Sequence, residues 1–191
     1  MNPTLLNVFS TIHLLSYSTL LGTSLYQSFI LTKLAYRSLP RSSFISLQKA
    51  VFPVYFRLQT GLLILSAVTV PPFGLPFGGW SLVTGRSKWD LIPFCVAGMS
   101  GALNLGVYEG RTRRLMLERV ERDKRLRDSV ATVYGAADSV ERTEGPSDEM
   151  KRLNRLFSKN HAMCIHLNLV TMVAMLFYGW RLASRISIEV L

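Results

Sequence analysis

Hydrophobic residues fall in four long blocks along the chain, and polar residues fill the stretches between them. The blocks run from about Leu5 to Thr32, from Val54 to Val70, from Trp89 to Tyr108 and from Ala162 to Leu182. A helix of about 20 apolar residues crosses the hydrocarbon of a bilayer, so each block predicts one membrane-spanning helix. We therefore predict an all-α fold, an integral membrane four-helix bundle in which residues 1–191 form a single transmembrane domain.

The connection after the first block is a basic elbow, residues 33–53. Leu39 and Pro40 interrupt the helix there, because the residue before a proline avoids the helical conformation. Residues 42–52 show helical spacing of apolar side chains and predict a short interfacial helix. Pro53 suits the first turn of a helix, so we expect the second span to begin there.

The two later connections have different compositions. Residues 71–87 are rich in glycine and proline, which predicts a loop rather than a helix. Residues 109–161 begin with a charged, helix-prone stretch to about Tyr134, so we expect the third span to continue into water as one long helix. A small, polar and acidic linker follows, and a helix restarts near Asp148.

The distribution of lysine and arginine orients the predicted bundle. Of 22 such residues, 18 lie in the elbow, in residues 109–161 or at the span ends that adjoin them. The positive-inside rule places both connections in the cytosol and both termini in the lumen or outside. The same rule accounts for the net charge of +10, so we expect the lipid bilayer, and no nucleic acid, as the surroundings of the basic residues.

Four amide side chains lie at a similar depth in the predicted spans: Gln27, Gln59, Asn104 and Asn168. At a rise of about 1.5 Å per residue, each lies roughly 7–10 Å below the cytosolic surface. Amides donate and accept hydrogen bonds at once, so four of them are able to form a closed ring. One interpretation is that the ring fixes the helices to one another. The other is a polar vestibule, open to the cytosol, that binds a small solute or a lipid headgroup.

Histidine raises the question of a metal or haem site. His13, His161 and His166 are the only histidines. The predicted depths of His13 and His166 differ by ~10 Å or more, whereas haem axial ligands or one zinc site need them level. We expect no Asp or Glu within a span to complete a metal site. We also find no motif of a soluble enzyme, so we predict no catalytic residue, no metal, no cofactor and no enzymatic activity.

The elbow carries a specific pattern, Arg37-Ser38-Leu39-Pro40-Arg41 followed by Phe52-Pro53-Val54-Tyr55-Phe56. Shorter patterns in the other blocks contain His13, Glu109, Arg111 and His161. Together these positions resemble the transmembrane protein 205 family. The resemblance implies a multi-pass protein of the endoplasmic reticulum, secretory pathway or plasma membrane, without a settled molecular activity. It also brings an association of the animal member with drug efflux.

Three functional hypotheses follow from these observations. The first is a scaffold or partner-binding bundle whose charged helix, from Glu109 to about Tyr134, docks a protein. The second is a small-solute transporter or efflux-related protein that uses the four amides, in the form of a homo-oligomer or a monomer. A stripe of small residues in the third span, Gly98, Ala102 and Gly106, permits close helix contact. The third is haem or metal binding through His13.

Overall fold

The computed structural model describes residues 3–70, 88–134 and 147–184, and these residues form four helical rods. The first rod comprises α1 (Pro3–Leu25), a π-helical segment (Tyr26–Leu31) and α2 (Thr32–Ser38), and the second is α3 (Arg41–Val68). The third comprises α4 (Lys88–Leu103), a second π-helical segment (Asn104–Tyr108) and α5 (Glu109–Tyr134), and the fourth is α6 (Asp148–Ala183). The described part of the chain is therefore all-α, as predicted. The predicted loop over 71–87 and most of the predicted linker lie outside the described residues.

The first rod ends where the sequence predicts it to end. Leu39 has extended backbone angles, φ −109° and ψ 143°, and Pro40 follows with φ −53° and ψ 148°. The proline ring excludes the helical conformation of the residue before it, so the chain turns at this point. The carbonyl of Pro40 then accepts a hydrogen bond from the Phe44 backbone N–H at 2.9 Å, which begins α3.

The prediction of a separate interfacial helix over residues 42–52 is wrong. α3 runs without a break from Arg41 to Val68, and Pro53 lies inside it, buried. A proline in a helix leaves one carbonyl four residues earlier without its N–H partner. In apolar surroundings a break in the helix leaves several backbone N–H and carbonyl groups without partners, whereas a proline leaves one carbonyl. A continuous helix that contains a proline therefore has the lower free energy.

Within the part of the chain that the structure describes, three helices are long and apolar enough to cross a membrane: Arg41–Val68, Trp89–Ser129 and Asp148–Ala183. The first rod is not among these three. A crossing by the first rod, and the side of the membrane on which the termini lie, stay predictions.

The bundle buries polar side chains and exposes apolar ones over much of its length. An apolar cluster that includes Leu20, Phe94 and Met175 fills one half of the interior. Elsewhere the buried side chains are largely hydroxyls and amides, whereas Val54 is 63% exposed and Met99 is 69% exposed. Water penalises an outer surface of this kind, and hydrocarbon does not. The distribution of side chains therefore matches the membrane assignment.

At one end the third and fourth rods extend beyond their apolar parts as a paired structure, here named the basic hairpin: α5 with residues 148–161 of α6. Thirteen of the 26 residues of α5 are charged, which places this helix outside the hydrocarbon. Arg122 forms an ion pair with Glu149, and the Arg119 guanidinium lies 4.5 Å from the centre of the Phe157 ring. The elbow lies at the same end, which we name the basic end.

Candidate functional site

A hydrogen-bonded network joins three rods near the middle of the bundle. The Gln59 amide nitrogen donates to the Asn168 side-chain oxygen at 2.8 Å and to the Ser24 hydroxyl at 3.3 Å. The Tyr55 hydroxyl donates to the same Asn168 oxygen at 2.7 Å, and the Asn168 amide nitrogen donates to the Ser28 hydroxyl at 2.8 Å. The oxygen and the nitrogen of the Asn168 side chain thus each have a partner, and these bonds hold α3, α6 and the first rod in register.

Gln27 does not join this network. Its amide nitrogen lies 3.4 Å from the Thr32 hydroxyl of its own rod, although its side chain is buried. The Gln27 carbonyl accepts from both the backbone N–H and the hydroxyl of Thr32, five residues later. That spacing defines the π-helical segment, and π segments are frequent at functional sites.

Asn104 also lies apart from the network, at the start of the second π-helical segment. Its amide nitrogen donates to the Cys164 backbone carbonyl at 3.1 Å, which joins the third rod to α6. Gln59 and Asn168 are therefore the two of the four predicted amides that bond directly, and a closed ring of four is not formed. Whether the amides act on a solute stays a prediction.

Some buried polar atoms of the described residues have no hydrogen-bond partner. Four are oxygens: those of Gln48, Asn104, Glu109 and Asn154. Gln48 and Asn104 lie between the network and the basic hairpin, and Glu109 and Asn154 belong to the hairpin itself. A buried oxygen without a donor costs about 1–3 kcal/mol, so this region holds unused hydrogen-bonding capacity.

The positions that carry the family resemblance gather on the basic half of the bundle, with one exception. Those at the helix break are exposed, and those within α3 are buried. The exposed members are Arg37, Pro40, Arg41 and Arg111, the buried ones are Pro53 and Tyr55, and Glu109 and His161 are intermediate. The exception is His13, which lies in the half of the bundle away from the basic end.

His13 is buried at the centre of a second polar cluster. Its Nδ1 donates to the Ser66 backbone carbonyl at 2.9 Å, because a carbonyl only accepts, and the Tyr178 hydroxyl donates to Nε2 at 2.6 Å. The Ser16 hydroxyl, three residues later, donates to the His13 backbone carbonyl at 3.0 Å. The imidazole therefore joins the first rod to both α3 and α6. The sequence shows that His13 needs a partner, but not that Tyr178, 165 residues away, supplies it.

The expectation that no acidic residue lies within a span is wrong at Asp90. This residue lies in the first turn of α4, inside the predicted third span, and its side chain is 3% exposed. The Arg181 guanidinium of α6 donates to its carboxylate at 2.7 Å. Since both charges lie at the ends of their spans, the pair links the two helices at the end opposite the hairpin.

The three histidines lie in three different environments. His161 stacks on Phe157 with the ring centres 5.5 Å apart, and His166 is exposed and contacts the Ala162 carbonyl at 2.6 Å. Both nitrogens of His13 are engaged by protein groups. Among residues 3–70, 88–134 and 147–184, no three His, Cys, Asp or Glu side chains are placed to hold a metal ion. The described residues thus place no set of three metal-ligating side chains around His13.

The electrostatics of the basic hairpin depend on contacts between its two helices. The hydrogen bond from Arg122 lowers the pKa of the Glu149 carboxyl and raises the pKa of the Arg122 guanidinium. Burial, followed by the nearby charge of Arg41, lowers the pKa of Arg119. The hairpin and the elbow are therefore close enough for their charges to interact.

Comparisons with known proteins agree with a membrane protein of uncharacterised type. A family described as a domain of unknown function (DUF4149) matches residues 15–121. The Aspergillus fumigatus protein named Xanthocillin biosynthesis cluster protein D is 39% identical over 172 residues, which cover 90% of this chain and 87% of that protein. No solved structure matches the chain. The match over more than half of the chain, together with this relative, shows that the protein belongs to the DUF4149 family.

Proposed function

We propose that the chain crosses the membrane four times, with its basic end in the cytosol, and that the basic hairpin docks a partner protein. The proposal keeps both termini on the lumenal or outer side, in the endoplasmic reticulum, secretory pathway or plasma membrane. Within DUF4149 it also groups the chain with the transmembrane protein 205 type, on the elbow pattern from Arg37 to Phe56.

One observation carries the docking proposal. Four apolar side chains of the hairpin are exposed among charged neighbours: Leu117 at 38%, Val120 at 43%, Leu126 at 44% and Leu156 at 38%. The Arg119–Phe157 contact sets an antiparallel register that puts Val120 and Leu156 at the same level. Exposed apolar side chains surrounded by charged residues are typical of a protein interaction site.

The charge of the hairpin favours an acidic partner. α5 carries eight arginines and lysines against five acidic residues, and α6 adds Lys151, Arg152 and Arg155 in its first turns. Because opposite charges steer association, a partner with an acidic surface suits this helix pair. The relative's name places it in a biosynthesis cluster. We therefore propose a biosynthetic enzyme as the class of partner.

The amide network supports a structural role for the polar layer. Gln59 and Asn168 use their side chains on each other and on Tyr55, Ser24 and Ser28. A group that binds a solute has to release such bonds first, and interhelical bonds of this kind average about 0.6 kcal/mol each. The network thus favours a bundle whose helices are held in fixed positions and that supports the hairpin as the binding surface.

One observation favours transport as the second candidate function. The unpaired oxygens of Gln48, Asn104, Glu109 and Asn154 lie on the side of the amide network that faces the basic end, the last two within the hairpin itself. Polar groups inside a bilayer mark the pathways of solutes and ions in many transporters. A cytosolic vestibule at this level is the alternative to docking.

Two variants separate the candidates. Leu117, Val120 and Leu156 are changed together to serine in the full chain, and the four amides, Gln27, Gln59, Asn104 and Asn168, are changed together to alanine. Proximity labelling in cells from a tag on the chain then measures partner recruitment, and vesicle assays measure solute flux. Docking predicts that the serine variant folds and loses its labelled acidic partner, with recruitment unaffected in a folded amide variant. Flux that only the amide variant abolishes, with labelling unchanged in the serine variant, contradicts docking and supports transport.

A further inference from the structure

A groove of about 530 Å³ runs along the outside of the bundle between the first rod and α3. Gly22, Tyr26 and Gln27 form one wall. Val51, Val54 and Leu58 lie on the other. The lining part of α3 spans about eight residues, which corresponds to a length of about 12 Å along the helix axis. We name this feature the elbow groove, because it begins beside the elbow and leads towards the middle of the bundle.

The elbow groove is a product of local sequence. Gly22 has no side chain, and a Cβ at this position meets no atom within 4 Å, so the wall there is open. Tyr26 and Gln27 belong to the π-helical segment, where the helix is wider than its neighbours. The opposite wall exposes Val54 and Leu58. The groove is therefore an apolar recess on a surface that faces lipid.

Basic side chains border the groove, two of them on the side of the basic end and the third at the opposite end. Lys33 lies in α2, between the π-helical segment and the basic end. Lys49 precedes the groove wall in α3, and Arg57 lies three residues after Val54. All three are exposed, and the ion pairs of the described residues include none of them.

The surrounding sequence offers no carboxylate to neutralise these cations. No Asp or Glu occurs from Met1 to Trp89. The acidic residues of the third and fourth rods lie in α4, in the basic hairpin and in residues beyond the described ones. An apolar recess with an unneutralised cationic rim at the membrane surface is complementary to an anion attached to a hydrocarbon chain.

We propose that the elbow groove binds an acidic phospholipid, with one acyl chain along Gly22, Val54 and Leu58 and the headgroup held by Lys33, Lys49 and Arg57. The long side chain of Arg57 reaches towards the headgroup level while its methylene groups cover apolar surface. A cluster of cations at the cytosolic face attracts acidic lipids. The site is separate from the hairpin surface, and it requires no partner protein.

Native mass spectrometry of the full chain, released from mixed phosphatidylserine and phosphatidylcholine nanodiscs, tests the proposal. The expected result is one retained phosphatidylserine per chain. Val54→Trp fills the groove and reduces retention at least fivefold, whereas Ile64→Trp, at an equally exposed position of the same helix outside the groove, leaves it unchanged. Leu58→Trp serves as the second groove-filling variant if Val54→Trp fails to fold.

The headgroup is tested with charge variants. Changing Lys33, Lys49 and Arg57 to glutamine is expected to remove the preference for phosphatidylserine over phosphatidylcholine, at about fivefold per charge. A control variant with Arg113 and Lys124 of the hairpin changed to glutamine is expected to keep the preference for phosphatidylserine over phosphatidylcholine. Equal retention of the two lipids by the unmodified chain overturns the proposal, and so does undiminished retention by the folded groove-filling variants.

Discussion

Replacing Asn168 by alanine removes the side chain that receives or donates three hydrogen bonds between rods. Two of these bonds come from α3, through Tyr55 and Gln59, and one goes to Ser28 of the first rod. At about 0.6 kcal/mol for each interhelical bond in a membrane, the loss is about 2 kcal/mol. Gln59 keeps Ser24 and Tyr55 as acceptors, so its amide is not left without a partner. For a chain of this length, the midpoint of thermal unfolding is expected to fall by about 4–8 °C.

Leu169→Ala is the matched control. Leu169 is the adjacent residue and is 45% exposed, so its truncation removes the same number of non-hydrogen atoms but no hydrogen bond between rods. We expect it to change the free energy of unfolding by no more than about 0.5 kcal/mol. Thermal unfolding of both variants in one detergent gives the comparison. A larger loss from Leu169→Ala than from Asn168→Ala contradicts a bundle with a polar interior and an apolar exterior.

Three further predictions concern other parts of the molecule. Gly179→Ala places a methyl group against the Tyr17 hydroxyl, so we expect a loss of about 1–3 kcal/mol in thermal unfolding, partly recovered by adding Tyr17→Phe. His13→Leu removes the bonds that join the first rod to α3 and α6, and we expect it to lower stability in the same assay by about 1–3 kcal/mol. The pKa of Glu149 is lowered by Arg122, so this ion pair stabilises the hairpin above the ordinary carboxyl pKa of 4.5 and is lost as the pH falls through the lowered value. Hydrogen exchange at the start of α6 is expected to accelerate over that acidic range.

Each of these predictions has a result that contradicts it. Gly179→Ala with unchanged stability means that the close approach of α1 and α6 is absent. An equal loss from His13→Leu and from a change of the exposed His166 to leucine shows that burial of His13 adds nothing. Glu149→Gln is the control for the pH effect, because it removes the titrating carboxyl. The same acid response in that variant rules out the Arg122–Glu149 pair as its cause.

The helical blocks and the break at Leu39 follow from local chemistry, which is why the sequence predicts them. Apolar runs of sufficient length predict helices, and the effect of a proline on the residue before it does not depend on distant contacts. Pro53 was misassigned because the same residue suits a helix start and tolerates a helix interior in apolar surroundings. Only the packing on both sides of Pro53 distinguishes the two.

The partners of the buried side chains were less accessible to sequence analysis. Counting residues from the cytosolic end of each span predicts that Gln59 and Asn168 lie at the same depth, and in the structure their side chains form a hydrogen bond. This count does not show that the Gln27 side chain contacts Thr32, five residues further along its own rod, because the π-helical segment alters the register. The Asp90–Arg181 pair was missed for a similar reason, since its members lie 91 residues apart and meet only once α4 and α6 have packed.

The most direct test of the membrane arrangement is cysteine labelling in sealed vesicles of known orientation. Cys95 and Cys164 are first replaced by alanine, and single cysteines are introduced at Asn2 and at Ser129, a position in the basic hairpin. A maleimide that does not cross membranes is expected to label position 2 from the lumenal or outer side and position 129 from the cytosolic side alone. Labelling of both positions from the same side contradicts the arrangement.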